Sequence, residues 1–239
     1  MKLIYIWALL VVAIFAQTLE DANTLLGAKE YKKALKSYEL LCKKSVAIAC
    51  RRASFIYATG IGVAVDSKKS ATLAKRACTL EDGRGCTNLA TMYALGVGVE
   101  ANSTKATKLY KKACRLKDVD GCAKVGFAYL KGIGVDKNIS KAFELLSSAC
   151  KQEQQEACYN LAILQDKKGN YKESKKLYEK TCSSGDALAC NQLGFLYQNG
   201  LGVKKDIGKA LHYYIKSCQG GSKMGCENRD YFNDKRGKK

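Results

Sequence analysis

Apolar residues in this chain recur at helical spacing. In the stretch 141–150, Ala142, Leu145, Leu146 and Ala149 stand at steps of three, one and three, which gathers them on one face of a helix. A short polar turn follows, and the next stretch opens at Cys158 with Leu161 and Ala162 three and four places on. The same positions repeat along the chain: Ala53, Leu89, Val125, Leu161 and Leu193, each followed by Ser54, Ala90, Gly126, Ala162 or Gly194. Seven places after the opening cysteine stands Tyr57, Tyr93, Tyr129 or Tyr197, with Gln165 in one copy. Small residues let two helices approach closely, and a tyrosine packs its ring while keeping its hydroxyl near water. The pattern predicts an all-α chain built from helix–turn–helix units. A unit of this size cannot bury its apolar face alone, so successive units must stack.

The connections carry their own signal. Four segments read Tyr-x-x-Gly-x-Gly-Val, with glycines at Gly60/Gly62, Gly96/Gly98, Gly132/Gly134 and Gly200/Gly202. Three places after each Val stands Asp66, Asn102, Asn138 or Asp206, types whose side-chain oxygen accepts a free N–H at a helix start. These loops fall between two helices with no preceding strand, so they are read as turns and not as phosphate cradles. Two shorter connections, around Gly27–Ala34 and Lys168–Ser174, replace this loop by a tighter turn. Proline is absent, so turns rest on Gly, Asn and Asp.

The twelve cysteines fall into six pairs: Cys42/Cys50, Cys78/Cys86, Cys114/Cys122, Cys150/Cys158, Cys182/Cys190 and Cys218/Cys226. Their first members recur at intervals of 36, 36, 36, 32 and 36, the mark of a repeat array. Each pair sets one thiol in the last turn of a helix and its partner in the first turn of the next. Antiparallel neighbours bring such Cα atoms within the roughly 4.4–6.8 Å that a disulfide needs. Zinc is the competing reading, but zinc sites favour Cys-x₂₋₄-Cys spacing, and His212 is the only histidine. No Cys-x-x-Cys supports redox chemistry.

Outside this array, the first residues read as a leader. A basic start at Lys2 precedes an apolar run from Leu3 to Ala16, and Gln17, Thr18 and the acidic pair Glu20–Asp21 follow. Residues 1–16 are therefore expected to be a cleaved signal peptide, the run being short for a membrane span of roughly 20 residues; the alternative is an uncleaved inner-membrane anchor. Export agrees with disulfides, which persist in oxidising compartments. A net charge of +19 points to anionic partners, and export argues against nucleic acid among them. The array is expected over 17–232, as about six units in a single domain. The basic end 233–239, with Lys235, Arg236, Lys238 and Lys239, is expected to be disordered.

The string Tyr-x-x-Gly-x-Gly-Val-x-x-Asp/Asn-x-x-Lys-Ala, followed by Ala-Cys and a second Cys eight on, resembles the Sel-one-like repeat, a tetratricopeptide relative. Its double-cysteine form is similar to the Helicobacter cysteine-rich protein (Hcp) family, over about residues 19–230. The resemblance implies a right-handed superhelix, a solenoid of disulfide-bridged αα-hairpins with a concave inner surface, secreted or held in the periplasm. It also implies penicillin binding or slow β-lactamase activity, or contact with host proteins.

The residues do not spell that enzyme. The one Ser-x-x-Lys, Ser148-Ala149-Cys150-Lys151, lacks the Ser-Asp-Asn and Lys-Thr-Gly companions of serine β-lactamases. A zinc lactamase needs several histidines. His212 reads as a repeat position on a helix, and no carboxylate pair stands out. The expected function is an exported module that binds a peptide, glycan or cell-wall fragment in a concave groove; the alternative is a slow β-lactamase. No cofactor or metal, no stable membrane insertion and a monomer are expected, and a peptidoglycan-like or β-lactam ligand or a host protein are the candidate partners.

Overall fold

The computed structural model describes residues 18–237, all of whose regular elements are helices. They are α1 (Leu19–Gly27), α2 (Tyr31–Lys43), α3 (Ala47–Thr59), α4 (Ser67–Thr79), α5 (Gly83–Leu95), α6 (Ser103–Arg115) and α7 (Val119–Lys131). There follow α8 (Ile139–Lys151), α9 (Gln155–Lys167), α10 (Tyr171–Ser183), α11 (Ala187–Asn199), α12 (Ile207–Gln219) and α13 (Lys223–Gly237). The proposed leader, residues 1–16, lies outside the described residues. The described residues form two compact units whose division falls inside α7. The first runs to Val125 and takes in Gly132–Asp136; the second comprises Gly126–Lys131 and the chain from Lys137 onward.

Within each unit, consecutive helices pack as pairs, α1 to α6 in the first and α8 to α13 in the second. This is the packing of a tetratricopeptide-like solenoid. The pairs are unequal. Helices joined by a Gly-x-Gly-Val loop, such as α3 with α4 and α11 with α12, pack more extensively than those joined by the short cysteine turn. Fully buried Tyr38, Tyr178 and Tyr214 fill the core, and each hydroxyl donates to a side chain on the preceding helix. Their acceptors are Asn23 at 2.7 Å, Asp166 at 2.8 Å and Gln198 at 2.5 Å.

The loops work through their glycines and caps. Gly96 takes φ +71° at the C-terminus of α5, a left-handed turn that a side chain disfavours. Gly98 also has positive φ, and its α-carbon lies so close to the Ser67 carbonyl at the start of α4 that a Cβ has no room. Asp66, Asn102, Asn138 and Asp206 each accept the N–H three residues on, at 2.8–2.9 Å. The residue receiving that cap is Lys69, Lys105, Lys141 or Lys209. Its ammonium stands 5.1–5.5 Å from the ring centroid of Tyr57, Tyr93, Tyr129 or Tyr197 on the preceding helix. One lysine thus pins each long loop closed by a cation–π contact.

At the C-terminal end, helix α13 continues through Gly237. No glycine or proline interrupts the chain between Cys226 and Arg236, so nothing stops the helix there.

Candidate functional site

The six pairs Cys42–Cys50, Cys78–Cys86, Cys114–Cys122, Cys150–Cys158, Cys182–Cys190 and Cys218–Cys226 are bonded, with Cα atoms 4.4–4.8 Å apart. The Cys42–Cys50, Cys78–Cys86, Cys150–Cys158, Cys182–Cys190 and Cys218–Cys226 bridges each span a junction less extensively packed than those of α3 with α4, α5 with α6 and α11 with α12. Polar contacts reinforce some of these seams. Arg51 Nε donates to Asp82 at 3.1 Å, and Thr87 Oγ1 donates to Asp118 at 2.5 Å. In both, the residue after a second cysteine reaches the cap of the helix two places on. Six disulfides call for an oxidising extracellular or periplasmic setting.

The helices that open with the second cysteine also carry exposed apolar side chains. On α3 these are Ile48 and Phe55; on α11, Leu188 and Phe195; on α13, Met224 and Tyr231. Each couple is seven residues apart, hence on one helix face. In the second unit α11 and α13 lie side by side, joined by Asn228 Nδ2 donating to Asn191 Oδ1 at 2.9 Å. Their four apolar side chains, each 43–51% exposed, therefore share one surface. Beyond the third, fourth and seventh places after the second cysteine, the fifth also carries a signal in the sequence. That place holds Phe55, Thr91, Phe127, Ile163, Phe195 and Tyr231, apolar or aromatic in five of six copies.

The repeat tyrosines belong mainly to packing. Tyr57 and Tyr197 are buried, and Tyr197 stacks on Tyr213 with centroids 5.6 Å apart. Burial, with a hydrogen bond to Glu39 at 2.8 Å, pushes the Tyr57 hydroxyl up to about 12. Ser148 and Lys151 are both exposed at the end of α8, and no hydrogen bond joins them. His212 is exposed on α12, edge-on to Tyr213. No two of these three residues form a catalytic arrangement. Among the described residues no three or more His, Cys, Asp or Glu side chains converge to hold a metal, and no helix is long and apolar enough to cross a membrane.

Such an arrangement defines an α-helical repeat protein with disulfides, an architecture suited to protein–protein binding. The chain belongs to the Sel1 repeat family, whose model matches residues 47–82, 83–118, 119–153, 155–186 and 187–222. In that frame one repeat is a pair such as α3 and α4, joined by the long loop. The disulfides therefore tie each repeat to its neighbour. A Sel1 repeat protein from Oxalobacter formigenes superposes with a TM-score of 0.77 at 22% identity, covering 84% of this chain and 81% of that one. A protective antigen present in uropathogenic Escherichia coli strains gives 0.73 at 25% identity, over 84% of this chain and 44% of its own. Helicobacter pylori cysteine rich protein B is 28% identical over 59% of this chain and 96% of its own, with a TM-score of 0.45. Among curated proteins, cytochrome c oxidase assembly factor 7A of Xenopus laevis is 35% identical over 66 residues, 27% of this chain. The chain spans 29% of the length of that relative.

Proposed function

We propose that the protein is exported and works by holding a protein partner, whose apolar side chains lie across the paired faces of α11 and α13. The observation that carries this reading is the shared surface of Leu188, Phe195, Met224 and Tyr231. Exposed large apolar side chains grouped on one surface mark interaction sites. The place of Leu188 and Met224 in the repeat is not needed for packing, since Arg84, Asp120 and Glu156 occupy it in other copies. Two neighbouring helices offering couples seven residues apart suit an amphipathic segment with anchors at helical spacing. The net charge of +19 favours an acidic partner. Export removes residues 1–16, leaves a chain that begins at Gln17, and supplies the oxidant that the six bridges require.

A photo-reactive phenylalanine analogue placed at position 195, in the cells that make the protein, tests this. It should cross-link to a protein segment in which apolar residues are flanked by acidic ones. A synthetic copy of that segment should bind, and Phe195→Ser with Met224→Ser should abolish the binding without unfolding the protein. Cross-links no more frequent than those from position 204 would contradict the proposal. So would a protein found with intact residues 1–16 and free thiols in the cytoplasm.

A further inference from the structure

A second feature lies in the first unit. Helices α4, α5 and α6 line a cleft of about 350 Å³. Its floor is apolar, with Cys78 and Leu89 buried and Tyr93 and Leu109 half-buried. Its rim is basic: Lys75 comes from α4, and Lys105, Lys108, Lys112 and Arg115 come from α6. No acidic residue lines it. Among the described residues, no carboxylate pairs with any of these five cations. Lys105 is held over the Tyr93 ring, and Lys112 Nζ donates to the Cys78 carbonyl at 2.7 Å. Lys75, Lys108 and Arg115 have their charged groups open to a ligand.

The basic stripe is a property of this repeat and not of the fold. The residues on α6 fall at steps of three, four and three, hence on one helix face, where like charges repel. The same positions hold Lys69, Thr72, Arg76 and Thr79 on α4, and Lys141, Glu144, Ser148 and Lys151 on α8. On α12 they hold Lys209, His212, Lys216 and Gln219. Packing therefore accepts neutral and even acidic residues at the place of Lys108 and neutral ones at that of Arg115, and the charges of Lys108 and Arg115 serve something other than the stack. From Lys105 to Arg115 the stripe runs roughly 15 Å along the helix. That is the reach of four or five extended residues and too dispersed for a single phosphate. The cleft volume falls at the small end of ligand pockets, at about 300–1,000 Å³.

We infer that this cleft binds an acidic protein segment in which an apolar side chain is flanked by carboxylates. The apolar side chain settles on Leu89 and Leu109, and the carboxylates pair with Lys75, Lys108 and Arg115. The choice of a polypeptide rests on the protein-binding reading above, but the site is separate from the face of α11 and α13.

Fluorescence anisotropy on the oxidised full chain tests the inference. The probe is a fluorescein-labelled octapeptide of glutamates around a central pair of leucines. It should bind, and more weakly as salt is raised. Lys108→Glu with Arg115→Glu should weaken it by about tenfold or more, a loss expected of two reversed charges at one site. Lys204→Glu with Lys205→Glu makes the same change of net charge outside the cleft and should leave affinity within about twofold. Replacing the two leucines of the peptide by serine should weaken binding severalfold. If the reversed-charge variant loses its helical circular dichroism, Lys108→Gln with Arg115→Gln takes its place. Absence of binding, an equal loss in the control variant, or indifference to the leucines would each overturn the inference. Binding of phosphatidylglycerol vesicles, sensitive to the cleft variant and without peptide binding, would also overturn it. Peptide binding lost in Phe195→Ser but kept in the cleft variants would overturn this site and leave the proposed function standing.

Discussion

At Gly194 a methyl group would come within 2.6 Å of the Tyr214 ring, and at Gly126 within 2.9 Å of Leu146. In these two copies the residue four places after the second cysteine is held to glycine by the side chain on the facing helix. Where that helix supplies Ala74, the small place holds Ser54, whose hydroxyl bonds the Ser70 carbonyl at 2.8 Å. Gly194→Ala is expected to lower unfolding stability by about 1–3 kcal/mol through overpacking, read from urea melts. Ala90→Gly, at the same place in another repeat, is expected to cost about 1 kcal/mol through helix propensity alone. The sequence displayed the need for a small residue but not the tyrosine it faces, because that partner lies some twenty residues on. The buried tyrosines give a second prediction at this scale. Burial pushes the Tyr57 and Tyr214 hydroxyls up to about 12, and pushes Tyr178 up as well, with Asp166 adding to burial there. The folded state therefore favours the neutral phenol over the unfolded value of 10.0. That stability is complete below about pH 10 and is lost as pH rises towards about 12. Urea midpoints across this window, with phenolate absorbance followed in parallel, should fall; a constant midpoint would refute the assignment.

Helix ends and loops were the most legible elements, because capping is a local transaction between residues three apart. The Asp or Asn after each Gly-x-Gly-Val loop caps its helix as the sequence suggests. The lysine that receives the cap and covers the loop tyrosine went unread, since a charged residue in a first turn looks like solvated surface. Gly98→Ala is expected to be severely destabilising, as it meets both a left-handed backbone and the Ser67 carbonyl. Gly27→Ala, with nothing within 4 Å, should be neutral or slightly stabilising in the same melt. The disulfides make a further prediction. Cys114–Cys122 and Cys218–Cys226 are half-exposed, whereas the other four bridges are buried. Under limiting reductant these two should open first, as seen by alkylation and mass spectrometry. Closing each short loop is worth on the order of 2.5 kcal/mol by the chain-entropy model. Loss of a buried clasp should also cost more than loss of a half-exposed one, because its sulfurs sit in the core.

Over the whole molecule, the division of labour follows from two kinds of seam. Long loops join helices that pack broadly, and disulfides hold the seams that pack less. The repeat period and cysteine spacing made this order readable in advance, although the natural hairpin of the sequence, the cysteine turn, proves to be the join between two family repeats. Functional surfaces were less legible. The apolar face of α11 and α13 and the basic cleft of α4 to α6 gather residues from different helices, and basic residues so numerous mask the four that align. With a net charge of +19, association with an acidic partner should weaken as ionic strength rises. The stack, and with it the proposed binding surfaces, rests on neighbouring repeats being clasped by disulfides. Peptide mapping of the native protein, digested without reductant and with thiols blocked beforehand, tests that claim most directly. Six linked peptide pairs should appear, each joining a cysteine to the one eight residues on, with no blocked thiol; free thiols or sequence-distant partners would contradict it.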